Sequence, residues 1–248
     1  NNLRRGGSTW HGIEVWEAKV YYAENRPQRV EMSLYNRGDD RDGEGMTPDG
    51  LERLAGEIGE KLEPGSKTLP TARKTEVTGG YRYVRRWTRT DPCVELTWGV
   101  SGKGRKDSSI SYVRAVLTRR GKDAPVGATK SVSGIVSKAK TKANVRRDPE
   151  GDVWIANVPM VDQGQKGYCA VATSERVLRY YGQNVDEHEI GSAAGSTASQ
   201  GTDVSAMYAT VNKIGRKYGL SIYSVVGGFN RGMEGLVQAF MKEVADYN

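Results

Sequence analysis

Residues 161–182 read VDQGQKGYCAVATSERVLRYYG. From Gln163 to Cys169 the chain places two glutamines, two glycines and one of its two cysteines. A helical pattern then runs from about Cys169 to Tyr181. Gly182 follows as a natural left-handed cap residue. Cys169 therefore stands where a loop becomes a helix. The unpaired N–H groups and the dipole of a helix start favour negative charge. They favour the thiolate, which is the nucleophilic form of cysteine. Gln163 lies six residues earlier, across a loop whose glycines, Gly164 and Gly167, permit a tight fold-back. Its side-chain amide can then join the Cys169 backbone N–H as an oxyanion hole for a tetrahedral acyl intermediate. A buried structural cysteine would need neither the glutamine nor the glycines.

Around this segment the second half reads as mainly helical. Val153–Val158 is expected to be a short strand ending at Pro159. A small-residue loop, GSAAGSTASQG, leads to a second helix that Thr202 or Asp203 can cap. Val204, Met207, Tyr208, Val211, Ile214 and Tyr218 mark one face of it, and Gly219 ends it. Ser221–Val226 reads as a strand and Met233–Tyr247 as a last helix.

The first half has a different period. Ile13–Tyr22 and Val30–Tyr35 read as strands, with Val30, Met32 and Leu34 alternating as one buried face requires. A helix opens at Thr47-Pro48, where Thr can cap and Pro suits the first helical position. It carries Leu51, Leu54, Ala55, Ile58 and Leu62 on one face and stops at Pro64-Gly65. Tyr81–Thr90, Cys93–Val100 and Ile110–Thr118 read as three more strands. The fold class is α+β. The chain divides into a β-β-α-β-β-β module over residues 1–122, a basic connector over 123–152 and a helical region over 153–248. The connector includes a short basic helix, Ser131–Ala143.

Charge divides the same way. Residues 1–147 carry a net +11 and residues 148–248 a net −4, which together give the chain its +7. Arginines and aromatics interleave at Tyr81, Arg82, Tyr83, Arg85, Arg86, Trp87 and Arg89, with Lys103, Arg105 and Lys106 beyond. Such interleaving can bind single-stranded nucleic acid. The plainer reading is a sheet with one apolar and one solvated basic face. Pairing of that face with an acidic region of another protein, or with the acidic half of the chain itself, weighs at least as much as nucleic acid. No apolar run reaches the roughly 20 residues of a membrane span.

The segment QGQKGYCAVAT resembles the active-site segment of papain-like cysteine peptidases. It shares the glutamine, the glycine after it, the glycine two before the cysteine, and the spacing. The wider stretch VPMVDQGQKGYCAVATSERVLRYYG is closer to the bacteriocin-processing (double-glycine) peptidase-like branch. There too the cysteine helix ends in a YYG-like turn, and a GT-x-x-x-M helix follows, as in Gly201–Met207. Ala170 stands after the cysteine where papain has a tryptophan, which also favours that branch. The resemblance covers about Asn157–Tyr247. It implies Cys169 as nucleophile, Gln163 as oxyanion-hole donor, a peptide or protein substrate, no cofactor, and the helical half of a papain-like fold.

Such enzymes take their base from a histidine oriented by Asn or Asp. This chain has His11 and His188 alone. His188 falls 19 residues after Cys169, in NVDEHEIG, where the family has a short surface helix; it reads as a solvated residue. His11 reads as incidental. The base is therefore expected from outside these residues, on the barrel half of the domain, as further sequence or as a second chain. The rival expectation is a catalytically inactive peptidase-fold module that docks peptides or an acidic partner. Another thiol acyl transfer, by a transglutaminase or amidase, would use the same geometry. Cys93, Cys169, His11 and His188 lack zinc-ligand spacing, so no metal is expected. The absent initiator Met and the resemblance lean towards an exported bacterial protein.

Overall fold

Alternating apolar residues in the first half close into one antiparallel sheet. The computed structural model describes residues 2–3, 8–40, 45–102, 109–119, 136–161, 163, 167–183, 185–197, 201–222, 238 and 242. In chain order the strands are β1 (Asn2–Leu3), β2 (Thr9–Trp10), β3 (Ile13–Glu14), β4 (Glu17–Ala23) and β5 (Arg26–Asn36). Helix α1 (Pro48–Leu62) follows, then β6 (Arg73–Val77), β7 (Gly80–Trp87), β8 (Cys93–Ser101) and β9 (Ser109–Thr118). The second half holds α2 (Lys138–Ala143), β10 (Val145–Arg147), β11 (Val153–Ile155), α3 (Cys169–Tyr180), α4 (Glu187–Ala193) and α5 (Val204–Lys217). The architecture is mixed α+β. Seven strands form the main sheet, in the order β1-β4-β5-β9-β8-β7-β6.

One face of the sheet is apolar and carries α1. Register places Val94, Leu96 and Trp98 of β8 beside Leu117, Ala115 and Val113 of β9, and beside Trp87, Arg85 and Tyr83 of β7. Leu51, Ala55 and Ile58 of α1 close over this face. Fully burying each large side chain stabilises by about 1.5–3 kcal/mol. Thr47 caps α1, its hydroxyl accepting from the Gly50 N–H at 3.0 Å, and Pro48 opens it. The expected start and the expected core face are the observed ones.

The strands depart from expectation at their ends. Ile13–Tyr22 is two pieces: β3 folds back on β2, and β4 begins at Glu17. Strand β6 carries no alternation to announce it. Its residues RKTEV are exposed except for half-buried Val77, and it is an edge.

The opposite face is polar and ordered. Glu17, Ser33, Arg114, Thr97 and Val84 form one cross-strand row through β4, β5, β9, β8 and β7. Lys19, Glu31, Val116, Glu95 and Arg86 form the next. The plainer expectation left this face in solvent, and the alternative paired it with the acidic half of the chain. Instead α4 docks on it.

Helices α3, α4 and α5 surround a second core of Tyr168, Val171, Leu178, Val185, Ile190, Met207 and Ile214. Asp203 caps α5, accepting from the Ala206 N–H at 2.8 Å. Gly182 has φ +82° and ends α3 in the left-handed conformation that glycine adopts freely. Strands β10 and β11 pair as a separate exposed ribbon. The expected strand Ser221–Val226 and final helix Met233–Tyr247 lie mostly outside the described residues, which include helical backbone at 238 and 242. Residues 131–135 of the expected basic helix also lie outside them. No helix among the described residues is long and apolar enough to cross a membrane.

Candidate functional site

Cys169 is the first residue of α3, and its side chain is exposed. The residue before it fixes where that helix begins. Tyr168 is 3% exposed, and its ring fills a slot between two glycines. A Cβ added at Gly38 would come within 2.4 Å of the ring, and one at Gly191 within 2.9 Å. The Tyr168 hydroxyl donates to Asn36 Oδ1 at 3.0 Å, and the same oxygen accepts from the Gly38 N–H at 3.0 Å. Asn36 is fully buried at the end of β5. Burial pushes the Tyr168 hydroxyl well above its usual range, so it stays a neutral donor. The sheet thus anchors the backbone that presents Cys169. Behind it, Gly167 lies against Gly201: a Cβ at 167 would stand 3.3 Å from Gly201 Cα. The two glycines join the cysteine loop to the GT segment that precedes α5.

Gln163 is exposed in irregular backbone. Residues 164–166, which join it to Gly167, lie outside the described residues. Among the described residues no hydrogen bond links Gln163 to Cys169. Cys93 is half-buried at the start of β8, with Sγ 3.5 Å from the Thr88 carbonyl oxygen, and both cysteines are free.

His188 corrects the expectation of a solvated residue. It is 6% exposed. Its ring stacks on Tyr112 at 5.3 Å and meets the Tyr168 ring edge-on at 6.3 Å. The cause is the docking of α4 on the polar face of the sheet. His11 sits in a tight turn at φ +53°, with its ring against Trp10.

The docking of α4 is electrostatic. Its segment brings Asp186, Glu187 and Glu189 to the cations of the sheet. Arg114 donates to Asp186 Oδ2, Lys19 Nζ lies 3.2 Å from Glu187, and Arg82 lies 2.7 Å from Glu189. Ser192 donates to the Ser111 hydroxyl at 2.8 Å. Asp186 also caps α4 by accepting from the His188 N–H at 2.9 Å. Burial would raise the Asp186 carboxyl, but Arg114 and then His188 outweigh it and hold it well below the usual range. Burial would lower the Lys19 ammonium, and Glu187 and Glu17 reverse that. For Glu189 burial prevails over Arg82, and its carboxyl is raised. The basic half of the chain thus finds its acidic partner in the other half.

Glu175 on α3 is buried behind this layer, and Arg179 pairs with its Oε1. Burial, reinforced by Asp186, raises its carboxyl to about 8 against the opposing pull of Arg179. The folded state therefore holds this proton more tightly than the unfolded chain, whose value is near 4.5. The stabilisation is complete below about pH 4.5 and is lost as pH rises through 8. Glu175→Gln removes that loss. Urea unfolding is expected to find the variant close to wild type at pH 5 and about 3 kcal/mol or more steadier at pH 9. A constant difference across that range would refute the assignment.

Sequence reasoning singles out Cys169 and Gln163 and passes over Tyr168, Asn36, Gly38 and Gly191. Asn36 and Tyr168 lie 132 positions apart. Nothing local in either segment links them. Among the described residues no group of three or more His, Cys, Asp or Glu side chains could hold a metal ion. No protein-family model, curated protein or solved structure matches the chain.

Proposed function

We propose that the protein is a papain-like cysteine peptidase that hydrolyses peptide bonds through a thioester on Cys169. The observation that carries this reading is an exposed thiol on the first residue of an anchored helix. Tyr168 holds the turn before it, so the Cys169 backbone N–H and the helix start keep a fixed direction. That N–H and the Gln163 amide stabilise the oxyanion. The Cys169 thiolate attacks the scissile carbonyl, the C–N bond breaks, and the amine leaves with a proton from the base. Water then releases the acid and regenerates the thiol. In this reading the base is a histidine supplied from outside these 248 residues, and His188 is engaged in packing. In this reading the α3–α5 layer is the helical half of the domain, and the sheet is the platform that orients it. The test is peptide hydrolysis by the complete protein with and without Cys169; release of product at the wild-type rate without it would end the reading. An added amine separates acyl transfer from hydrolysis by the product formed.

The burial of His188 also favours a second reading. A peptidase fold without a base would bind peptides, or an acidic partner, without cleaving them. In that case the complete protein binds substrate peptides and leaves them intact.

A further inference from the structure

A cavity of about 490 Å³ opens on the polar face of the sheet, beneath the end of α5. Its size falls in the range of small-molecule clefts, roughly 300–1,000 Å³. Six cationic side chains line it: Arg82 and Arg86 from β7, Arg114 from β9, Arg29 from β5, Arg73 from β6 and Lys217 from α5. Only three carboxylates share the lining, those of Glu76, Glu95 and Glu189.

Ion pairs divide these cations into two sets. Arg82 is held by Glu189 and Arg86 by Glu95, both at 2.7 Å. Arg29 pairs with Glu31, and Arg114 pairs with Asp186. These guanidinium groups are fixed in place. Among the described residues, Arg73 and Lys217 have no carboxylate partner, and they line the cavity from β6 and from α5. Thr75 and Thr118 add hydroxyl donors, while Val84, Val185, Ile214 and Tyr218 supply apolar wall. A guanidinium, an ammonium and hydroxyls lining one cleft match the oxygens of a phosphate group.

Register argues against nucleic acid here. Arg82 and Arg86 point to this cleft, whereas Tyr83 and Trp87 of the same strand belong to the apolar face under α1. Tyr83 is stacked on Trp98 at 5.4 Å. Tyr83 and Trp87 are therefore on the opposite side of the sheet from Arg82 and Arg86 and offer bases no stacking platform beside them.

We propose that this cleft binds a phosphorylated small molecule, its phosphate groups held by Arg73 and Lys217 and its apolar body lying against Tyr218 and Ile214. The proposal is independent of Cys169 and of any peptidase activity. The test is calorimetric titration of the whole protein with inorganic pyrophosphate at low salt. Saturable binding is expected. Arg73→Gln and Lys217→Gln are each expected to weaken it by about tenfold or more. Both side chains are exposed, so the variants should melt as wild type does. Arg147→Gln, in the exposed ribbon, is expected to leave binding unchanged. Absence of saturable binding would overturn the proposal, as would equal binding by both cleft variants. Tighter binding of a short deoxythymidine strand or a glutamate-rich peptide through Arg73 and Lys217 would overturn it too, by assigning the cleft to a macromolecule.

Discussion

Replacing Cys169 by alanine in the complete protein is expected to lower peptide hydrolysis by about 10⁴-fold or more. Loss of the nucleophile from a covalent mechanism has effects of this size, because oxyanion donors and binding alone retain only a remnant of the rate. Cys93→Ala is the matched control. Cys93 is half-buried at a strand start, and its loss should leave the rate unchanged. In the proposed mechanism Gln163→Ala removes one oxyanion donor, and it is expected to lower kcat by about 10²–10³-fold with a smaller effect on KM. Together the three variants separate roles: nucleophile, bystander and donor. Equal rates for wild type and the Cys169 variant would remove the mechanism whatever the other two do.

The second large effect concerns the join between sheet and helices. Arg114→Leu is expected to destabilise the fold by about 3–5 kcal/mol, measured by urea unfolding at neutral pH. Arg114 is half-buried between Asp186 and Glu31, the latter at 3.9 Å. Its removal leaves Asp186 in a poorly solvated interface without its guanidinium partner, while Glu31 keeps Arg29, and an uncompensated buried charge costs about that much. Asp186→Asn in the same chain should recover part of the loss, since asparagine still caps α4 and brings no charge. The sign with pH follows from Asp186. Its carboxyl is held below the usual range, so its contribution is present above the ordinary carboxylate range and is lost as pH falls through the folded value. The Arg114→Leu chain should lack most of that acid-side loss. A change of less than about 1 kcal/mol would mean that the interface is solvated enough for the pair to count little.

What the residues disclose in advance depends on whether a signal is local. Strands β5, β8 and β9 and helices α1, α3 and α5 carry their own periods and caps, and these elements stand close to where those signals put them. Edge strand β6 buries almost nothing, so no alternation marks it. The polar face of the sheet looks solvated strand by strand. Only the register that aligns Glu17, Ser33, Arg114 and Thr97 in one row turns it into a bed for an acidic helix. The same holds for His188: DEHE reads as a surface helix until the sheet beneath it is known. The candidate segment around Cys169 stands out because glycines, glutamines and cysteine sit within seven residues. The slot for Tyr168 is not, because Gly38, Asn36 and Gly191 reach it from distant segments. The α+β class was open to reading; the covering of one face by the other half of the chain was visible only as a charge imbalance.

The most direct test of the central claim is the rate of alkylation of the intact protein by iodoacetamide near pH 6, followed by intact mass and by peptide mapping of Cys169 and Cys93. An activated thiolate reacts at a pH where ordinary thiols scarcely do. The account predicts rapid labelling at Cys169, slow labelling at Cys93, and loss of the rapid phase in Cys169→Ala. Labelling of Cys169 as slow as that of an unfolded-chain cysteine would contradict it, and the peptidase-fold binding module would then be the better description.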